Sequence, residues 1–376
     1  MSQLFGTLDL DELATGLRAA FADGGALPVE TDAVQPMTPY LEFLGETYRD
    51  TLVEYSSAEH DEYCLRPDLT LAIAREVASG RLDAGRYGYD DLVFRGARRV
   101  RLDESRAFAP LQRQVGVEVF GAGQMPGDDA EMLLQTIDAL NRVGVNDIQI
   151  VVSDVALIWA VIEGFDLHAN WKWRLQRAVS KPKVFERVVS AARGEGRATS
   201  ALAEALSTLS EQAAHEAVEE IFTMSGFKQL GSRSIGDVAD RLVTKAAETR
   251  HALRDGDANL LAQVLAVAGS FKDALEQIAD LVKTKGAKQR LDALGQLFER
   301  LGAGGLASQS IRFDADLSRH LSYYDGFVFE VFDTSGEVFL GGGGRYDGLV
   351  HALSNGTKDA PAIGAMLRPD RILSLT

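Results

Sequence analysis

Arg319-His320-Leu321-Ser322-Tyr323-Tyr324-Asp325-Gly326-Phe327-Val328-Phe329-Glu330 and, after a short gap, Gly341-Gly342-Gly343-Gly344-Arg345-Tyr346-Asp347-Gly348 are the two runs from which the fold is read. Phe327 to Phe332 is dense in aromatic and β-branched residues, which suit a half-buried pleated surface and predict a strand. Ser335-Gly336 supplies a turn, and Glu337 to Leu340 returns as the second arm of a hairpin. Four consecutive glycines then remove every side chain where the backbone passes close to something. Either a ligand or another strand packed tightly against it meets that description.

Around this hairpin the chain alternates helix and strand. Asp9 to Ala22 places Leu10, Leu13, Leu17 and Phe21 at helical spacing and stops at Gly24-Gly25. Pro28 to Pro39 reads as an extended segment suited to an edge or an interface. Tyr63 to Thr70 leads into a helix over 71–79, with Asp68 or Thr70 available as its N-cap. Tyr87 to Arg95 and Gln114 to Phe120 are predicted strands. The long loop between them carries Arg95, Arg98, Arg99, Arg101 and Arg106, the only concentrated basic stretch. A solvated loop accounts for those charges, as does a phosphate-bearing ligand or an acidic partner face. Asp128 to Leu140, Ile148 to Val152 and Val155 to Glu163 read as helix, strand and helix. From Asp166 to about Gly302 helical periodicity takes over, with Ala and Leu stripes that form a core. The expected organisation is a first part over 1–165, a helical insertion over 166–304 and a second part over 305–376.

With 46% hydrophobic and 25% charged residues, the 376-residue chain has the make-up of a soluble globular protein. No apolar run approaches the roughly 20 residues of a membrane helix, and Met1-Ser2-Gln3-Leu4 lacks the features of an export signal. A single cysteine, Cys64, excludes an internal disulfide and fits a reducing cytoplasm. One Cys and six scattered His make no metal-ligand pattern, so no metal is expected. A formal charge of −16 repels a nucleic-acid backbone unless a local basic face compensates.

The pairing of R-x-L-x-Y-Y-x-G-x-V-F-E with G-G-R-Y-D-G-L resembles the two histidine-specific signatures of the histidyl-tRNA synthetase family, in the right order. Arg66-Pro67-Asp68-Leu69-Thr70 is similar to that family's R-P-E-x-T element. The strand pair over 87–120 resembles class II motif 2, with Gln114 to Gly121 a close match to its second strand. The N-terminal helix and proline-containing segment have the pattern of motif 1. The resemblance implies an α+β fold: a class II aminoacyl-tRNA synthetase-like antiparallel sheet flanked by helices, with a helical insertion. It also implies the site. Asp68, Thr70 and Gln114 hold the amino group of histidine, Glu118 and Tyr324 take the two edges of the imidazole, and Arg319 and Tyr323 complete the contacts. Arg345 and Tyr346 shape the floor. An imidazole has a donor and an acceptor on opposite edges, and a site built for both rejects residues lacking the second nitrogen.

The nucleotide half departs from the family. F-R-x-E-x-P has become Phe94-Arg95-Gly96-Ala97-Arg98-Arg99, losing the carboxylate that holds adenine. R-x-F-H has become Pro110-Leu111-Gln112-Arg113, and glycine-rich motif 3 reads Gly364-Ala365-Met366-Leu367-Arg368-Pro369-Asp370-Arg371. Arg95 and Arg371 survive, which leaves residual anion binding. Ser322 stands where the synthetases carry an aspartate. Only five residues follow Arg371, so no anticodon-binding domain is expected. These departures resemble the catalytically silent branch of the family, the regulatory subunits of ATP phosphoribosyltransferase. That likeness implies no catalysis and no cofactor, with the short-form catalytic subunit as partner in the first step of histidine biosynthesis. It further implies a homodimer through motif 1, histidine as effector, no tRNA, no membrane and a cytoplasmic location. The alternative is a reduced ligase that activates histidine with ATP for an acceptor other than tRNA.

Overall fold

The structure, a computed structural model, describes residues 9–56, 62–96, 111–123, 125–195, 201–224, 235–307, 310–317 and 323–375. In chain order the strands are β1 (Leu27–Pro28), β2 (Val34–Pro36), β3 (Val53–Ser56), β4 (Glu62–Leu65), β5 (Arg86–Phe94) and β6 (Leu111–Phe120). There follow β7 (Ile148–Asp154), β8 (Ala268–Ser270), β9 (Ile311–Asp314), β10 (Phe327–Asp333), β11 (Phe339–Arg345) and β12 (Ala362–Leu367). One large sheet runs β1-β5-β6-β12-β11-β10-β7-β9-β8, and a small antiparallel one runs β2-β4-β3. The large sheet is antiparallel except at β1–β5 and β7–β9.

Register decides what this sheet does. Glu118 is opposite Gly364, Gly364 opposite Gly344, and Gly342 opposite Glu330. Because side chains alternate along a strand, one face carries Gln114, Gly116, Glu118, Gly364, Gly342, Gly344 and Glu330. The opposite face carries Val115, Val117, Ala365, Arg345 and Phe329, and the helices Gly127–Arg142 and Lys285–Ala303 pack on that side.

The glycine run is strand, not loop. All four residues lie in β11 between β10 and β12. A Cβ on Gly342 would stand 2.7 Å from the Phe329 carbonyl oxygen and one on Gly344 2.7 Å from that of Phe327. The close neighbour is therefore strand, and Gly342 and Gly343 also line a cleft. The segment 28–39 is less extended than its prolines suggest. Only short strands form, and the helix Met37–Leu44 starts directly after β2. Pro39 sits in that helix's first turn, where a missing N–H breaks no helical hydrogen bond.

The chain divides into two compact units, Met1–Leu157 with Ala266–Thr376, and Ile158–Leu265. The second is helical, with Leu206, Ala214, Val218, Ala239, Val243 and Ala246 in its core. The helical unit is shorter than the 166–304 read from sequence. Residues 266–303 supply β8, which pairs with β9, and the helices Phe271–Leu281 and Lys285–Ala303 of the first unit. A 3.6-residue period does not distinguish a helix in a bundle from a helix laid on a sheet. Among the described residues no helix is long and apolar enough to cross a membrane.

Candidate functional site

The glycine-bearing face of the large sheet opens into a cleft with a cavity of about 80 Å³. Asp68, Thr70, Gln114, Glu118, Tyr323 and Tyr324 line it together, joined by Arg95. They arrive from the start of the helix Thr70–Ser79, from β6 and from the approach to β10. Arg319, Ser322, Arg98, Arg99, Arg101 and Arg106 lie outside the described residues.

Asp68 is both a helix cap and a cleft group. Its Oδ1 accepts the Leu71 N–H at 2.8 Å, as an N-terminal cap would, and its Oδ2 accepts the Tyr323 hydroxyl at 2.9 Å. Burial lifts this carboxyl above its ordinary range, against those two bonds and the charge of Arg95.

Glu118 is 1% exposed and is held by hydroxyls. Its Oε1 accepts from Thr70 at 2.6 Å and Tyr89 at 3.2 Å, and its Oε2 accepts from Tyr346. Burial pushes its pKa up to about 8, opposed by the hydroxyls of Thr70, Tyr346 and Tyr89, while Asp68 raises it further. Burial likewise lifts the phenols of Tyr89, Tyr323, Tyr324 and Tyr346, with the carboxylates around them acting in the same direction. These tyrosines therefore remain protonated donors. Tyr324 packs against Tyr323 and Tyr346, with ring centroids 4.8 and 6.3 Å away. Gly364 leaves room for the carboxylate, since a Cβ there would overlap Glu118 Oε2.

The two signature runs are fastened to each other. Asp325 accepts the backbone N–H groups of Asp347 at 2.9 Å and Gly348 at 2.7 Å. Tyr346 backs the cleft through Glu118. Arg345 does not form the floor assigned to it. Adjacent to Gly344 in β11, it projects to the opposite face and grips Asp129 at 2.6 Å, Asp347 at 3.1 Å and the Gly123 carbonyl at 2.8 Å. Sequence reasoning also missed Tyr89. Its signal was a tyrosine opposite a glycine, Gly116, in a hairpin whose register only the pairing reveals.

Also lining the cleft, Arg95 has a buried Nε with no hydrogen-bond partner among the described residues. Arg371, on the short helix Pro369–Leu373, is not among the cleft-lining residues. Two of the departures meet in space. Arg368, buried within the altered motif 3 segment, donates to Gln112 at 2.8 Å and clasps Asp370 at 3.0 and 2.7 Å.

A model of the histidyl-tRNA synthetase family matches residues 9–230 and 227–372. An ATP phosphoribosyltransferase regulatory subunit from Chelativorans sp. (strain BNC1) is 29% identical over 362 residues, covering 94% of this chain and 95% of the relative. Another, from Rhizobium rhizogenes (strain K84), is 30% identical over 380 residues, covering 97% of this chain and 98% of the relative. A solved ATP phosphoribosyltransferase regulatory subunit/histidyl-tRNA synthetase from Bacillus halodurans shares the fold. Its TM-score is 0.64 at 23% identity, over 99% of this chain and 81% of that one.

Proposed function

The chain belongs to the histidyl-tRNA synthetase family, among its ATP phosphoribosyltransferase regulatory subunits, and from this premise we propose that it does no bond-making chemistry itself. It joins the short-form catalytic subunit, switches that subunit into its active arrangement for the first step of histidine biosynthesis, and binds histidine in the cleft as the pathway's end-product signal. It pairs with a second copy through the N-terminal motif 1 segment.

One observation carries this reading: five polar residues expected to contact histidine line one cleft together with a sixth, the buried Glu118. Asp68 and Gln114 face the ligand's ammonium with Thr70 beside them, Glu118 takes one edge of the imidazole and Tyr324 the other. Tyr323 fixes Asp68. Arg95 offers its guanidinium to an anion or to an acidic partner surface, with Arg98, Arg99, Arg101 and Arg371 as further candidates. Histidine inhibits through this site only by preferring one quaternary state, a coupling of typically about 1–3 kcal/mol.

The test is the transferase reaction with and without this chain, each with and without histidine. The reading requires activity to depend on the chain, and histidine to inhibit the complex. It fails if the catalytic subunit is equally active and equally regulated alone. The ligase alternative requires histidine-dependent pyrophosphate exchange by the purified chain. None is expected, because Ala97 stands where the adenine-holding carboxylate would be and Arg368 with Gln112 occupies the altered motif 2 and motif 3 positions.

A further inference from the structure

A carboxylate offers about four lone-pair positions. Hydroxyls fill three of them at Glu118: Thr70 and Tyr89 at Oε1, and Tyr346 at Oε2. Among the described residues no other hydrogen-bond donor to Glu118 is found, which leaves one position for whatever enters the cleft. Of the three donors, Tyr89 lies in neither histidine-specific signature and in none of the elements from which the site was read. It is 3% exposed, does not line the cleft, and sits on β5. It reaches Glu118 across Gly116, its register partner in β6, and a Cβ at that position would overlap the Tyr89 hydroxyl.

We propose that Tyr89 is a specificity-determining positioning residue: with Thr70 and Tyr346 it saturates Glu118, so that the carboxylate presents a single acceptor to a ligand. The inference rests on the reading of the cleft as a histidine site, and sharpens it. An imidazole brings one N–H to that edge and is satisfied. A primary amide or a guanidinium brings at least two donors, and the second finds no acceptor on Glu118 and stays desolvated.

The groups facing Glu118 set the sign of its titration. Thr70 comes from the helix Thr70–Ser79, Tyr89 from β5 and Tyr346 from the end of β11, with Asp68 and Tyr324 acting through charge and burial. Hydroxyl donors favour the ionised carboxylate, so loss of one raises the pKa above its value of about 8. The ionised form accepts the imidazole N–H, so affinity rises with pH through that midpoint.

Tyr89→Phe removes one oxygen and keeps the ring. Glu118 is titrated by carbon-13 carboxyl NMR in the unliganded full chain, and L-histidine and L-glutamine binding are measured by calorimetry on both sides of the midpoint. Loss of a hydrogen bond to a charged group is expected to raise the Glu118 midpoint by about one pH unit. L-histidine binding below the midpoint weakens about tenfold as the ionised fraction falls, and the preference for L-histidine over L-glutamine narrows. Thr70→Val removes the other donor to the same oxygen, and must move the midpoint the same way even if Tyr89→Phe does not fold. An unmoved midpoint in a folded Tyr89→Phe chain overturns the proposal. A raised midpoint with no L-histidine binding by either chain keeps Tyr89 as the group that positions Glu118 and overturns the histidine reading instead.

Discussion

The two faces of the large sheet hold carboxylates under opposite conditions. On the back, Asp129 is clasped by Arg345 at 2.6 Å and Asp154 by Arg290 at 2.6 Å. On the front, the bonds to Glu118 come from hydroxyls, and Asp68 is bonded by a backbone N–H and a phenol. A buried acid with its own guanidinium is electrically complete and acts as a fastener. A buried acid surrounded by neutral donors has no cation of its own and keeps acceptor capacity at a cleft wall, where an N–H-bearing ligand can use it. One strand serves both faces: β11 leaves Gly342 and Gly344 on the front and puts Arg345 on the back.

The contrast is tested most severely at the back. Arg345→Ala strands Asp129, which is fully buried, and should cost about 3–5 kcal/mol in urea unfolding. A loss below about 1 kcal/mol would remove the distinction between the faces. Next is Gly364→Ala, whose methyl overlaps Glu118. We expect about 1–3 kcal/mol of destabilisation, with histidine binding abolished in calorimetry. Retained binding would mean that the carboxylate is not where the ligand sits.

Glu118→Gln should weaken histidine binding about 10- to 100-fold, the worth of a hydrogen bond to a charged group. The same variant isolates a pH effect on stability. Folding raises the Glu118 pKa from 4.5 to about 8, so its contribution is fully present below pH 4.5 and is lost as pH rises through about 8. Unfolding midpoints measured across that window should slope downward in the unsubstituted chain and less so in the glutamine variant. Arg95→Ala should move stability least, by within about 0.5 kcal/mol. Its signature is reduced salt sensitivity of assembly with the catalytic subunit. Unchanged salt dependence would restrict Arg95 to the cleft.

Much of the cleft was legible in the sequence because its parts are local. Asp68 and Thr70 lie in one short run, Gln114 and Glu118 in another, and Tyr323 and Tyr324 in a third. Each run has a recognisable pattern of glycine, proline and aromatic residues. Arg345 was misjudged because it belongs to the same run as Tyr346, and adjacency in a strand means opposite faces. Tyr89 went unseen because its hydroxyl matters only after β5 and β6 pair with Gly116 opposite it. The helices over 271–303 were assigned to the insertion because they share its period, although they belong with the sheet.

By itself the sequence determined the chemistry available: two acids, an amide, a threonine and a tyrosine pair in recognisable order, with Ala97 at the position where the resembled family has a carboxylate. The tertiary structure decided which of these groups meet. Side-chain alternation fixes that neighbours in a strand diverge, but not which side becomes a cleft and which is covered by helices. That choice depends on pairings between distant segments, such as Glu118 with Gly364 and Arg345 with Asp129, and burial then turns the same residue types into either a binding wall or a structural clasp.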